Sequence, residues 1–392
     1  MPLTIRSHTI VNNLVIGSVS GGSSRNTFLV ASSYGANSQK GISYVYDATD
    51  FSISPTIISG SSSTDYRNGR NVSINGDYIA MSGDYNDNYS GSVYVFDANS
   101  LTSEPTKLTP SDLGPNDYFG SDISLSSNYL VVGMKNDDDL ATNAGAIYVY
   151  TLSDLSQSPT KIKPGSLGSS DNFGERLSTS NNHIVVSAIR DDDVASDSGA
   201  VYVYDISNLS SSPTKLTVPS GGQSNDFFGT SVDCNDNYIV VGSPGGPGYG
   251  GSVFVYDASD LSTSPTEINI NDDGAQFGNS VAVSDDYLCV YAQGDDTNGS
   301  TGGAVYVYDI TDLSQSPTKI VSNDGGANDR FGTSISINGD TIAVGAWLHD
   351  DNSVSNTGAV YIFDGTDLTA TPTKIVPSTN SGDLFGYSIQ FG

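Results

Sequence analysis

One pattern returns through this chain at intervals of 49–55 residues, and three anchors define it. The first is a Phe-Gly pair, at Phe119-Gly120, Phe173-Gly174, Phe228-Gly229, Phe277-Gly278, Phe331-Gly332 and Phe385-Gly386, with degenerate copies at Asn68-Gly69 and Ile16-Gly17. The second is an apolar run ending in an aromatic residue: Tyr46, Phe96, Tyr150, Tyr204, Tyr256, Tyr308 and Phe363. The third is a Pro-Thr pair or its equivalent, opening at Pro55, Pro105, Pro159, Pro213, Pro265, Pro317 and Pro372. A unit of this kind cannot bury its apolar faces alone and must stack against its neighbours.

Each unit reads as four strands, A to D. In the stretch from Phe331 to Ile375, strand A is expected over Phe331–Ile337, followed by a two-residue hairpin at Asn338-Gly339, where both residue types tolerate positive φ. Strand B follows over Thr341–Ala346, then a longer loop, strand C over Ala359–Asp364, and strand D from about Thr373. Strands B and C are near-continuous apolar or aromatic runs, as required of strands covered on both faces. No sustained 3.6-residue apolar period occurs, so almost no helix is expected. Four strands in about 50 residues is the spacing of propeller blades. The fold class is therefore all-β, a seven-bladed β-propeller. Its repeats fall at about 13–65, 66–115, 116–169, 170–224, 225–273, 274–326 and 327–380, with a closing strand over 382–392 and an N-terminal arm over 1–12.

The termini contain one A-like strand more than seven blades need. Asp383–Phe391 supplies a strand A with nothing after it, and Leu14–Ser20 also reads as a strand A, while Thr4–Ser7 resembles the start of a strand D. The expectation is that the C-terminal strand closes the ring by completing blade 1. The N-terminal segment is then free to add to another surface, including a sheet edge of a neighbouring copy; the alternative is that its strand-like stretch is a chance likeness in a disordered arm.

These anchors resemble the FG-GAP repeats of integrin α-chain propellers and of related bacterial and viral proteins, over nearly the whole chain. The resemblance implies a propeller used for adhesion or protein contact, often with calcium. The chain departs from that pattern in two places. The Gly-Ala-Pro element survives only as Gly242-Ser243-Pro244 and Gly345-Ala346-Trp347. The integrin-type calcium loop between strands A and B is replaced by short turns such as Ser126-Ser127-Asn128, so integrin-style calcium positions do not carry over.

Charge narrows the function further. The chain has 44 acidic residues against 15 basic ones, a net charge of −29, and only Glu104, Glu175 and Glu267 among the acids are Glu. Such a surface repels nucleic acid and anionic membranes. The alternation of strand directions puts the B–C and D–A loops on one face, and the acids gather there. In B–C loops they are Asp84 and Asp87, then Asp137, Asp138 and Asp139, then Asp191, Asp192 and Asp193, then Asp295 and Asp296, and Asp350 and Asp351. In D–A loops they include Asp117, Asp171, Asp226, Asp272-Asp273, Asp329 and Asp383. Two readings of these acids stand side by side. They form hard-cation sites for Ca2+ shared between adjacent loops, or they are solvated turn residues bonding their own backbone. Five of the lysines, Lys107, Lys161, Lys215, Lys319 and Lys374, recur at one position that opens strand D, and read as guards against edge-to-edge pairing.

Catalysis finds no constellation. The histidines are His8, His183 and His349, with the last two on opposite faces, and the only cysteines, Cys234 and Cys289, match Leu or Val in sister repeats and read as buried. Trp347 with His349 is the one mixed aromatic and polar cluster on the acidic face, suited either to stacking a sugar ring or to packing. No standard signal sequence and no membrane-spanning run is recognised. The chain is expected to be a non-enzymatic binding or adhesion module on an extracellular or virion surface, contacting a protein or glycan through its acidic face. The alternative is a structural subunit that self-assembles by exchange of a terminal strand or arm.

Overall fold

The computed structural model describes residues 27–36, 40–60, 67–83, 86–219, 221–245, 250–270, 272, 274–377 and 380–392. The N-terminal arm, Leu14–Ser20 and His8 lie outside the described residues. Seven four-stranded antiparallel sheets are arranged as blades, and six of them use consecutive strands in the order A-B-C-D. Blade 1 is completed from the other end of the chain: Phe385–Phe391 pairs antiparallel with Phe28–Ser33, which continues to Ile42–Asp47 and Thr56–Ile58. The closing strand is therefore the one expected from sequence.

Among the described residues the core consists of seven apolar clusters, each lying between two successive blades. The cluster between blades 3 and 4 joins Val131, Ile147 and Val149 to Phe173, Ile184 and Tyr202. A cluster of the same kind joins blade 7 to blade 1 through Val360, Ile362, Phe385 and Phe391, which closes the ring. The anchor phenylalanines are fully buried, and all but Phe228 meet strand-C tyrosines edge-on; Phe173 lies 5.4 Å from Tyr202 at 86°, while Phe228 meets Phe254 tilted at 58°. Edge-to-face geometry of this kind adds to what area burial alone contributes.

The glycine of the anchor is required by backbone geometry. Gly174 has φ +92°, and a Cβ there would stand 2.7 Å from the Ala146 carbonyl oxygen. Its own carbonyl oxygen presses on the preceding blade, since a Cβ on Gly133 would fall 2.0 Å from it. The repeated Val-Gly at the end of strand B and the repeated Phe-Gly are thus two halves of one contact between blades.

Strand A of blade 7 departs from the expectation. It runs over Ile335–Asn338 rather than starting at Phe331, with Gly332 at φ +111° and the Phe331 N–H bonded back to Gly302 in blade 6; in blades 3 and 6 strand A does start at the anchor, over Phe119–Leu125 and Phe277–Val283. Pairing continues through Asn338 and Thr341, so the turn residues are Gly339 and Asp340, one later than the hairpin expected from sequence. Strands B, C and D of that blade occupy Thr341–Ala346, Ala359–Asp364 and Thr373–Ile375.

The innermost strands leave one edge unpaired around the central axis. Polar side chains from the neighbouring blade cap their N–H groups, meeting the rule that buried donors find acceptors. Leu125 N–H donates to Ser73 Oγ at 3.0 Å, Leu177 N–H to Asp122 at 2.9 Å, Val283 N–H to Asp233 at 2.8 Å, and Phe391 N–H to Ser336 Oγ at 2.9 Å. Cys234 and Cys289 are free and buried, and burial pushes both thiols up.

Candidate functional site

The B–C loop of each blade and the D–A loop entering the next are bonded to one another. Between blades 3 and 4, Ser170 N–H donates to the Thr142 carbonyl and Phe173 N–H to the Ala144 carbonyl. Four of these B–C loops share one construction. The residue that opens each acidic run accepts through its carbonyl the N–H of the glycine that ends the loop: Asp137 from Gly145, Asp191 from Gly199, Asp295 from Gly303 and His349 from Gly358, each at 3.0 Å.

Within that frame each position has its own task. The acid at the second position of every run caps the loop from inside. Asp138 accepts from Asn143 N–H at 2.6 Å, Asp192 from Asp197 N–H at 2.6 Å, Asp296 from Thr301 N–H at 2.8 Å and Asp350 from Asn356 N–H at 2.8 Å. The first position is buried, and there the carboxylate meets a lysine of strand D. Lys161 Nζ lies 2.5 Å from Asp137, Lys215 Nζ 2.6 Å from Asp191, and Lys319 Nζ 2.5 Å from Asp295. In blade 7 the lysine meets His349 Nε2 instead, at 2.8 Å. The third position completes the grip: Lys161 on Asp139 at 2.8 Å, Lys215 on Asp193 at 2.6 Å, Lys319 on Thr297 Oγ1 at 2.5 Å, Lys374 on Asp351 at 2.9 Å.

The preceding D–A loop adds further acids in two blades. Asp112 accepts from Lys161 at 2.8 Å and Asp324 from Lys374 at 2.8 Å. A tyrosine of strand C stands directly opposite each lysine in register and lies under the ammonium in four blades, with centroid distances of 5.5 Å at Tyr94, 5.3 Å at Tyr148, 5.3 Å at Tyr202 and 5.5 Å at Tyr306. Cation–π attraction strengthens as water is removed from the pair. Burial works against the Lys161 charge, yet its bonds to Asp112, Asp137 and Asp139 outweigh that and hold it protonated far above the ordinary lysine range. The reciprocal effect falls on Asp139, which bonds to Lys161 and Lys163 hold down at about 2.

The lysine row thus differs from the edge-guard expectation. The lysines do sit on the outermost strand, but their side chains turn inward over the acidic loops. Asp112, Asp324 and these lysines are the members of the site that the sequence reading missed. One signal for them was in the repeats: blade 5 carries Glu267 opposite Phe254 and has no acids in the described part of its B–C loop, and blade 1 has Ile57 opposite Tyr44. Asp84 of blade 2, Asp273, and the side chain of Asp87 lie outside the described residues.

The D–A acids mostly brace their own loops, Asp117 accepting from Gly114 N–H at 2.6 Å and Asp171 from Gly168 N–H at 2.7 Å. On the opposite face, acids such as Asp205 and Asp260 cap Asp-x-Ser turns, Asp205 accepting from Ser207 N–H at 2.8 Å and Asp260 from Ser262 N–H at 3.1 Å. Those are the turn residues of the second reading.

His349 is 3% exposed and both ring nitrogens are engaged, Nδ1 with Asp329 at 2.8 Å and Nε2 with Lys374. Trp347 is half-buried and packs edge-on against Tyr387 at 5.3 Å, which in turn stacks on Tyr34 at 4.8 Å. The structure therefore places Trp347 and His349 in separate packing groups. Around the axis, a cavity of about 370 Å3 is lined by polar residues including Arg70, Asp122, Arg176, Asp233 and Gln390, with no histidine among the described residues that line it.

At the loop tips, apolar side chains stand out beside the acids. Tyr89, Leu140 and Val194 are 44%, 43% and 43% exposed, on the B–C loops of blades 2, 3 and 4. No helix among the described residues is long and apolar enough to cross a membrane.

Comparison with known families finds the FG-GAP repeat over residues 102–150, 159–204, 213–256, 271–308 and 316–363, together more than half of the chain. A search of curated proteins finds no match.

Proposed function

The chain belongs to the FG-GAP repeat family, and from that premise we propose that it is a non-enzymatic binding module that grips a protein partner through its B–C loop face. The observation that carries this reading is the row of exposed Tyr89, Leu140 and Val194 on three successive blades, each on a loop bonded to its neighbour. Apolar tips on a rigid rim, with Asp138, Asp139, Asp192 and Asp193 beside them, suit a partner surface that is apolar and basic, with the charges steering encounter and the apolar groups supplying affinity. The engagement of both His349 nitrogens, and an axial lining without histidine among its described residues, support binding over catalysis. Placement on an extracellular or virion surface is part of the same proposal. So is the question of calcium, whose place in four of the loops is contested by a lysine.

Panning a phage-displayed peptide library on the purified chain tests the reading. Enrichment of basic, apolar peptides whose binding is lost in the Leu140→Ser/Val194→Ser double variant supports it. A glycan array that binds the chain equally well with and without those substitutions would replace the protein partner by a sugar.

A second reading, a structural subunit, is favoured by the outer edge of blade 1. There Ile57 takes the lysine position and is 47% exposed, and Ile53 in the turn that leads to this strand is 49% exposed. An apolar edge strand without a charge at its centre is open to pairing. Light scattering on the eluted chain separates the two: a concentration-dependent ladder that Ile57→Lys collapses favours assembly.

A further inference from the structure

The FG-GAP family relationship raises metal sites, and the one group of acids among the described residues that converges tightly enough to hold a metal is Asp112, Asp137 and Asp139, whose ligand oxygens lie within 4.8 Å of one another. That spread matches the diameter of a calcium shell, roughly twice the 2.3–2.6 Å of a Ca–O bond. The centre of the group is taken. Lys161 Nζ touches all three carboxylates at 2.5–2.8 Å and rests over the Tyr148 ring. A divalent ion at the same point would face the ammonium at contact distance, so these residues do not fit a metal while the lysine is in place.

We infer that the strand-D lysine is a tethered cation standing where a divalent ion would otherwise bind, so that the three acids gathered around Lys161 in blade 3 become a calcium site only when that lysine is removed. Three observations support this beyond the acids themselves. The same lysine is bound by the first and third loop positions in blades 3, 4, 6 and 7. The acceptors change chemistry together with the loop, from carboxylate to Thr297 hydroxyl and His349 imidazole, and an ammonium donates to all of these whereas a hard cation prefers carboxylate and carbonyl oxygen. In blade 5, where the position is Glu267, the Tyr beneath is replaced by Phe254, and 244–251 contains no Asp. The tether also makes the occupancy of the position independent of the dissolved cation concentration, since the lysine is covalently part of the blade it holds.

Calorimetric titration with calcium chloride tests the inference, using the full chain, Lys161→Met, and Lys161→Met combined with Asp137→Asn. The expected result is one additional saturable calcium equivalent in Lys161→Met relative to the parent chain, lost again in the double variant. A Lys161→Met chain that folds only with calcium present supports the inference equally. Lys319→Met serves as the contrast, because its loop offers one carboxylate and a hydroxyl, and it should gain no equivalent. Two results overturn the inference: a Lys161→Met chain with no added calcium equivalent, or a parent chain that loses a calcium equivalent on Asp137→Asn alone. If Lys161→Met folds under neither condition, the same pair of outcomes is read from Lys161→Gln and Lys161→Gln/Asp137→Asn.

Discussion

Lys374 Nζ lies 2.8 Å from His349 Nε2, at the position where Asp137, Asp191 and Asp295 meet their lysines in sister blades. An ammonium can only donate, so Nε2 is the acceptor and the proton sits on Nδ1, which donates to Asp329 at 2.8 Å. A neutral imidazole thereby links a cation on one side to an anion on the other, within a buried loop.

Removing that link should be costly. His349→Ala leaves Asp329 with only the Gly326 N–H and opens a void beside Tyr361. A loss of about 2–3 kcal/mol is expected, the range for orphaning a buried charged acceptor and truncating a packed ring. Urea unfolding monitored by circular dichroism measures it. His349→Asp restores the sister arrangement and should lose less. A loss equal to or greater than that of the alanine variant would contradict the equivalence of the four loops.

Stability should rise on mild acidification. Burial pushes Asp122, Asp233 and Asp171 up to about 6 from 3.8. In each case the fold holds a proton that the unfolded chain has released, so stability grows as pH falls through about 6 and is complete below about 3.8. Asp139 works in the opposite sense: held at about 2 by Lys161 and Lys163, it contributes stability above 3.8 that is lost as pH falls towards 2. The melting temperature is therefore expected to climb from pH 7 to a maximum near about 4–5 and to fall below about 3. Melts across that range check it, and Asp122→Asn should shallow the climb without abolishing it. A melting temperature that falls steadily from pH 7 would contradict the buried placement of these carboxyls.

How far the sequence carried can be seen from particular residues. Strands B and C were legible because Thr341–Ala346 and Ala359–Asp364 are apolar on both faces and end where the pattern ends. The start of strand A was legible only in part: Phe119 and Phe277 do open it in blades 3 and 6, whereas in blade 7 it begins at Ile335, past the anchor. The acidic face was legible from loop order, since alternating strands fix which turns share a side. The partners of its acids were not. Lys161 and Asp137 are 24 residues apart and meet only because strand D lies beside strand C, so the third coordinate comes from the sheet. Reading the lysines as edge guards used the strand position alone and left out where a four-carbon stem can reach.

The glycine contact between blades gives a sharp prediction. A Cβ at Gly133 would stand 2.0 Å from the Gly174 carbonyl oxygen, a backbone atom that cannot rotate away. Gly133→Ala should force blades 3 and 4 apart and lose about 3 kcal/mol or more, as overpacking against backbone does. Gly165→Ala is the contrast, because nothing lies within 4 Å of a Cβ there. Differential scanning calorimetry of the two variants decides the matter: similar melting temperatures would mean that the blades do not approach as described.

Ring closure makes the last strand matter more than its length suggests. Phe385–Phe391 is the innermost strand of blade 1, pairs with Leu29, Val30 and Ala31, and buries Phe385, Ile389 and Phe391 against blade 7. Without it Phe28–Ser33 becomes an uncovered apolar edge facing the axis, and the cluster joining the two ends of the ring loses three large side chains. Truncation after Asp383 should therefore remove cooperative unfolding of the whole ring, not of one blade, because each blade is held by both neighbours. The expected outcome is a broadened, low-temperature melt with dye-accessible apolar surface, and recovery when a peptide spanning 384–392 is supplied in trans. A truncated chain that melts as sharply as the parent, or that ignores the peptide, would mean that the ring is held shut by some other contact.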